Sequence, residues 1–205
     1  MVVFRGVTAG FLLNNWRTAD QERQIEQQYI NGFLSDIKGD IEELENAIDD
    51  DSIFLKRTHP ILLMIRDKKM NSDTASSMVR QIMTMSKLEE NSGTYEDIRN
   101  SGNLNIISDF ELRSRIVAYN MRIKAVDLLE DFFYQYFTNL VVPFMFEEYN
   151  MLTGEFNNPA VIQTTKFSNV FSWYYSMVSQ RKEAYSELLV KARSLKLLLI
   201  EKKED

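Results

Sequence analysis

The chain of 205 residues has no cysteine, one histidine, three prolines and seven glycines. Without cysteine there is no disulfide framework, no thiol nucleophile and no thiolate metal ligand. A di-metal carboxylate bundle needs Glu-x-x-His on two helices, and the lone His59 is not preceded by such a glutamate. His59 also has no nucleophile and acid arranged around it as a catalytic triad requires; with Pro60 after it, it reads as a residue at a helix start. Basic charge is short as well: 24 Lys and Arg against 30 Asp and Glu leave a net charge of −6. A nucleic-acid surface needs a basic patch or stripe, and here the two signs are interspersed, as on a solvated helical surface. There is no phosphate-cradling glycine loop and no HExxH. No cofactor and no metal site is expected, and no catalytic constellation.

What is present favours helices. Few Gly and Pro, with many Leu, Ile, Met, Glu and Lys, suit long helices better than many short strands. The first is preceded by an unusual segment. Met1 to Leu13 is apolar or small apart from Arg5, and it closes on Asn14, Asn15, Trp16 and Arg17. Thirteen residues are too few to span a bilayer, which takes about 20. No basic flank precedes them and no small-residue cleavage pattern follows, so a signal peptide fits poorly. Three readings are open: the trailing part of a spanning helix, an interfacial helix, or a buried helix of a bundle. An indole and a snorkelling Arg at the end of an apolar run suit a membrane–water boundary. Residues 1–16 are therefore taken as the C-terminal part of a membrane-spanning or interfacial helix, with Asn14, Asn15, Trp16 and Arg17 at the interface. Residues 17–205 are taken as a single helical-bundle domain.

The periodicity predicts a first helix over about 14–57. Ile25, Tyr29, Phe33, Ile37, Ile41, Leu44 and Ile48 form its apolar face, opposite Glu22, Glu26, Asp36, Glu43 and Asp50. Pro60 should start a new helix. Ser72 can cap the next one, with Met78, Val79, Ile82, Met85 and Leu88 on one side. Thr94 and Asp97 start a short helix ended by Gly102, and Ser108 with Glu111 has the spacing of a capping box. From there Leu112, Ile116, Tyr119, Ile123, Val126, Phe133, Phe137, Leu140 and Phe144 follow a seven-residue repeat with Glu130 in one slot. Pro143 should kink or end this helix, and residues 153–165 read as a loop. The last helix, over about 168–203, continues the heptad through Phe171, Tyr174, Val178, Tyr185, Leu188, Ala192, Leu195 and Leu199. The fold class is all-α: an elongated antiparallel helical bundle with long first, middle and last helices.

Two segments resemble a known family. Gly6-Val7-Thr8-Ala9-Gly10-Phe11-Leu12-Leu13-Asn14-Asn15-Trp16 is similar to the end of the N-terminal membrane helix in a family of single-span, helical, membrane-tethered proteins common in Bacteroidetes, whose domain has no established activity. Residues 95–107, with Ser101-Gly102-Asn103-Leu104 and Ile106-Ile107, followed by Glu111-Leu112-Arg113, resemble its central motif. The likeness covers most of the chain and its motifs are mainly structural. It implies a bacterial inner-membrane protein with a C-terminal domain on the periplasmic side, and it transfers no catalytic residue.

Four groups of residues are weighed for function. Glu130 and Arg181 both occupy seam slots and form a candidate buried pair that would set helix register; the alternative is that both extend to solvent. Phe133, Phe137, Tyr174 and Tyr175 are candidates for a ligand or partner groove, against the simpler reading as core. Asp49-Asp50-Asp51 lacks the spacing and glycine of a calcium loop and reads as a solvated helix end; Glu147-Glu148 has no visible partner. The expected function is non-enzymatic: a membrane-tethered sensor, scaffold or assembly partner working through helix–helix contacts, with a protein partner or self-association and no nucleic acid. The alternative is a ligand-binding helical module with an apolar aromatic pocket.

Overall fold

The structure, a computed structural model, describes residues 2–83, 87–89 and 91–204, with only the backbone course for residues 2–13 and 204. The side chains of the apolar N-terminal segment, and Met85, lie outside the described residues. The protein is all-α. Helix α1 covers Val2–Arg66, α2 Ser72–Ile82, α3 Gly93–Asn100, α4 Phe110–Tyr136, α5 Val142–Glu148 and α6 Thr165–Glu204. A two-residue antiparallel pair, β1 (Tyr149–Asn150) and β2 (Glu155–Phe156), joins α5 to the short 3-10 turn Pro159–Gln163. The chain forms two compact units. One comprises Met1–Ile41, Glu90–Met121 and Val190–Asp205; the other comprises Glu42–Glu89 and Arg122–Leu189. Three of the four points at which the chain passes from one unit to the other fall inside continuous helices, α1, α4 and α6, so the sequence does not mark them.

Helix α1 passes through Pro60 instead of restarting there. Proline in a helix interior costs about 3 kcal/mol through one lost hydrogen bond and a ring clash. Here Pro60 is exposed, and the turn after it brings Ile61, Leu62, Met64 and Ile65 onto the core of the second unit. That burial offsets the defect. The stripe of α1 that is buried is Ile30, Phe33, Ile37, Asp40, Leu44, Asp51 and Thr58. It follows three- and four-residue steps or whole heptads and shares Phe33, Ile37 and Leu44 with the expected face, whose other members Tyr29, Ile41 and Ile48 are half-buried and Ile25 exposed.

The caps differ from those expected, each by one physical detail. Asn71, not Ser72, caps α2, its side chain accepting from the Thr74 N–H at 2.8 Å. Asp109, not Ser108, caps α4, accepting from the Leu112 N–H at 2.9 Å. Its carboxyl is held below the ordinary range by that bond and by Lys202. Ser108 instead donates its N–H and hydroxyl to Glu26. Gly102 does adopt the left-handed conformation, at φ +73°, after α3.

Along α4 the heptad holds from Leu112 to Phe133 and then slips. Residues Phe137–Val141 form a π-helical turn, which inserts about one extra residue per turn and widens the helix ahead of Pro143. Val141 is therefore buried and Leu140 is exposed. In α6 every expected seam residue from Phe171 to Leu199 is buried, Arg181 included. Contacts fix the helix directions within each unit. Glu26 meets Ser108 and Asp40 meets Tyr119, so α1 and α4 run parallel in the first unit. Asp51 meets Arg181 and His59 meets Tyr175, so α6 is antiparallel to α1 in the second.

Candidate functional site

The second unit has a polar centre inside its helical core. Asp51 of α1 and Arg181 of α6 are both buried. The guanidinium bonds both carboxylate oxygens, Nε reaching Oδ2 at 3.1 Å and Nη2 reaching Oδ1. The guanidinium also lies over the rings of Phe133 and Tyr185, at 5.2 and 5.8 Å from their centroids, where the ring quadrupoles favour a cation. Burial pushes the Asp51 carboxyl up, against the opposing bonds and charge of Arg181. Burial also opposes the Arg181 charge, and Asp51 outweighs it. Asp51 thus belongs to the core and is not part of a solvated helix end.

Glu130 of α4 is buried beside this pair. Its Oε1 accepts from the Tyr185 hydroxyl and, at 3.0 Å, from the Leu88 N–H. Burial raises its carboxyl, opposed by those two bonds and by the charges of Lys87 and Arg181. The Tyr185 hydroxyl is pushed up by burial, and Tyr174 next to it rises to about 12 for the same reason. The candidate pair is therefore buried as expected, but its bonds run elsewhere: Arg181 to Asp51, and Glu130 to Tyr185 and a backbone amide. The missed partner, Asp51, lies on α1 seven residues after Leu44, in a slot that a search for apolar residues passes by. Lys87 salt-bridges Asp127 and Asp131 at the protein surface. A cleft of about 590 Å³ opens above the ion pair, with Glu43, Asp50, Arg57 and Lys87 on its walls.

The first unit repeats the device with different residues. Asp40 is buried and accepts from the Asn91 N–H at 2.8 Å, the Asn91 side-chain amide at 3.2 Å and the Tyr119 hydroxyl at 2.9 Å. Burial still raises its carboxyl above the ordinary value. Asp36, one turn earlier, accepts from the Thr94 N–H at 3.0 Å. The chain at 91–94 can come this close because α1 carries glycines at its contact points. A methyl group on Gly32 would sit 2.8 Å from Thr94 Oγ1, and one on Gly39 would sit 2.7 Å from Asn91 Nδ2. In both units, carboxylates on long helices satisfy backbone amides of the irregular stretch between α2 and α4.

The residues expected to line a groove do not share one. Phe133 and Tyr174 are buried against each other, ring centroids 5.1 Å apart. Phe137 packs on Tyr174 at 6.2 Å. Tyr175 faces His59, its hydroxyl 3.5 Å from Nδ1. The open groove lies on the neighbouring positions of the same helices. It has a volume of about 820 Å³ between α4 and α6, flanked by Phe132, Tyr136, Leu140, Val170 and Trp173. Tyr136 stacks on Trp173 at 5.2 Å and donates its hydroxyl to the Val170 carbonyl. Phe132, Leu140 and Trp173 are exposed. Glu147 pairs with Lys166 at 3.0 Å. Asn14, Asn15, Trp16 and Arg17 are exposed on α1, Trp16 by 71%. Among the described residues, no helix is long and apolar enough to cross a membrane, and no three His, Asp or Glu side chains converge as a metal would require.

Comparison with protein families, with curated proteins and with solved structures finds no match.

Proposed function

We propose that this chain is an assembly protein: a helical module held at a membrane surface by its first sixteen residues, acting through helix–helix contacts and not through catalysis. The observation that carries this reading is the outward face of α4 and α6. A folded helix seldom leaves large apolar residues in water at regular spacing without a partner. Here Leu128, Phe132, Leu140 and Trp173 are 70%, 53%, 55% and 48% exposed. The buried carboxylates fit the same role. Asp51, Glu130 and Asp40 spend their oxygens on guanidinium, hydroxyl and amide partners of the chain itself, which fixes helix register.

The tether rests on Trp16 and Arg17, exposed where the apolar segment ends. Its proposed setting, a bacterial inner membrane with the C-terminal portion on the periplasmic side, follows from the family resemblance. Fractionation of cells producing the chain with and without residues 1–16, combined with protease treatment of spheroplasts, tests it. The full chain should sediment with membranes and be cleaved from outside, and the shortened chain should be released. Equal recovery of both forms in the soluble fraction refutes the tether.

A second reading, a ligand-binding module, attaches to the polar cleft above Asp51 and Arg181. Its walls carry charges of both signs, which suits a small zwitterion. A thermal-shift screen of amino acids tests it, and Arg57→Ala should abolish any shift.

A further inference from the structure

The open groove between α4 and α6 resembles one half of a four-helix contact. Ridges of two neighbouring helices flank a valley into which another helix fits. Phe132 and Trp173 meet across the valley, ring centroids 6.4 Å apart, and present one aromatic surface. On α4 and the π turn after it the outward residues Ala125, Leu128, Phe132, Gln135 and Asn139 follow three- and four-residue steps, a second seam beside the buried one. We propose, resting on the assembly reading above, that this groove receives the same groove of a second copy of the chain. The two copies would be related by a twofold axis, with α4 and α6 of each completing a four-helix contact.

Three observations select a second copy as the occupant. The first is charge. The chain carries −6 overall, so a face bearing free carboxylates would repel itself. Of the nine residues lining the groove, the one charged side chain is Lys166, and it is neutralised by Glu147 of the same chain. The acidic residues nearest the ridge on α4, Asp127 and Asp131, are both held by Lys87. The second is the polar remainder: Gln135, Asn139 and Asn169 are all amides. An amide both donates and accepts, so it satisfies a copy of itself, and polar groups on a seam are used to fix register and oligomeric state.

The third is area. Aromatic side chains bury roughly 150–250 Å² each, so half of that for Phe132 and Trp173, with the exposed parts of Leu128 and Leu140, is of order 400 Å² per copy. Both copies together, with the flanking amides, reach the lower end of specific interfaces, about 1,200 Å². A dimer of micromolar strength is the expectation, not an obligate one.

The absence of cysteine gives a direct assay. Asn139→Cys places a single thiol on the groove, and Asn100→Cys places one on the exposed end of α3 as a control. With the full chain in native membranes, a short bismaleimide should join Asn139→Cys copies into a dimer and leave Asn100→Cys monomeric. Adding Phe132→Glu to the Asn139→Cys chain should reduce the yield by about tenfold or more, as expected for loss of an interface anchor. Leu128→Lys, at a more exposed position, provides a second disruption should Phe132→Glu lower the helical circular dichroism. No cross-link at Asn139→Cys overturns the proposal, as does a yield unchanged by both disruptions or matched by the α3 control. A chain that stays in the membrane fraction without cross-linking loses the dimer and keeps the tether. One that cross-links from the soluble fraction keeps the dimer and loses the tether.

Discussion

The polar residues inside the second unit set the balance of its stability. Bringing Asp51 and Arg181 out of water costs several kcal/mol per ion, and the pair recovers this only through close geometry. The two-point bond and the rings of Phe133 and Tyr185 supply that geometry. Removing one partner therefore hurts more than removing both. Asp51→Ala should cost about 3–5 kcal/mol in urea unfolding by removing the carboxylate that compensates the buried guanidinium charge. The double variant Asp51→Leu with Arg181→Leu should regain most of that loss; an additive loss in the double variant would mean the pair is more than a matched set. Glu130 adds a dependence on pH. Burial raises its carboxyl, so the folded chain holds that proton to higher pH than the unfolded chain does. Its contribution favours folding below the ordinary carboxylate range and is lost as pH rises through the value in the folded chain. Glu130→Gln keeps an oxygen for Tyr185 and for the Leu88 N–H but does not titrate. Denaturation at about pH 5 and about pH 7 should show a flatter pH response and no loss of stability at the higher pH. A clearly less stable variant at neutral pH would show that the charge itself is needed.

At the level of elements, helix type and most of the buried seams were legible in the sequence. Helix α6 was read almost to the residue, because nothing interrupts its heptad between Phe171 and Leu199. What was not legible lay where one element borrows from another. Apolar periodicity cannot show that Asp40 and Asp51 occupy slots of the α1 seam, since a seam is sought through its apolar residues. Nor can it show a π turn, which shifted the end of the α4 repeat by one position and exchanged Leu140 for Val141. The groove was misplaced for a related reason: Phe133 and Tyr174 lie beside the open positions but face inward. Glycine in a long helix was a signal passed over. Replacing a helical glycine by alanine ordinarily gains about 1 kcal/mol. At Gly39 the added methyl would meet Asn91 Nδ2 at 2.7 Å and displace the amide that Asp40 binds. Gly39→Ala should therefore lower the unfolding midpoint, and a rise of the usual size would show that the 91–94 stretch yields without cost.

For the molecule as a whole, two different means place the chain. Regular helices carry the cores of both units, while the irregular stretch between α2 and α4 is placed by hydrogen bonds to its backbone. Leu88, Asn91, Thr94 and Ser108 each give their N–H to a carboxylate on a long helix: Glu130, Asp40, Asp36 and Glu26. A backbone amide is present whatever side chain it bears, proline excepted. The consequence concerns inheritance. Leu88 can drift among most residue types and still be gripped, whereas Thr94 is also confined by its contact with Gly32, and the four acids that grip cannot be exchanged so freely. In a saturation mutagenesis library selected for folding, intolerance should concentrate on the holders, and at Leu88, held through its backbone, proline should be the substitution most strongly excluded.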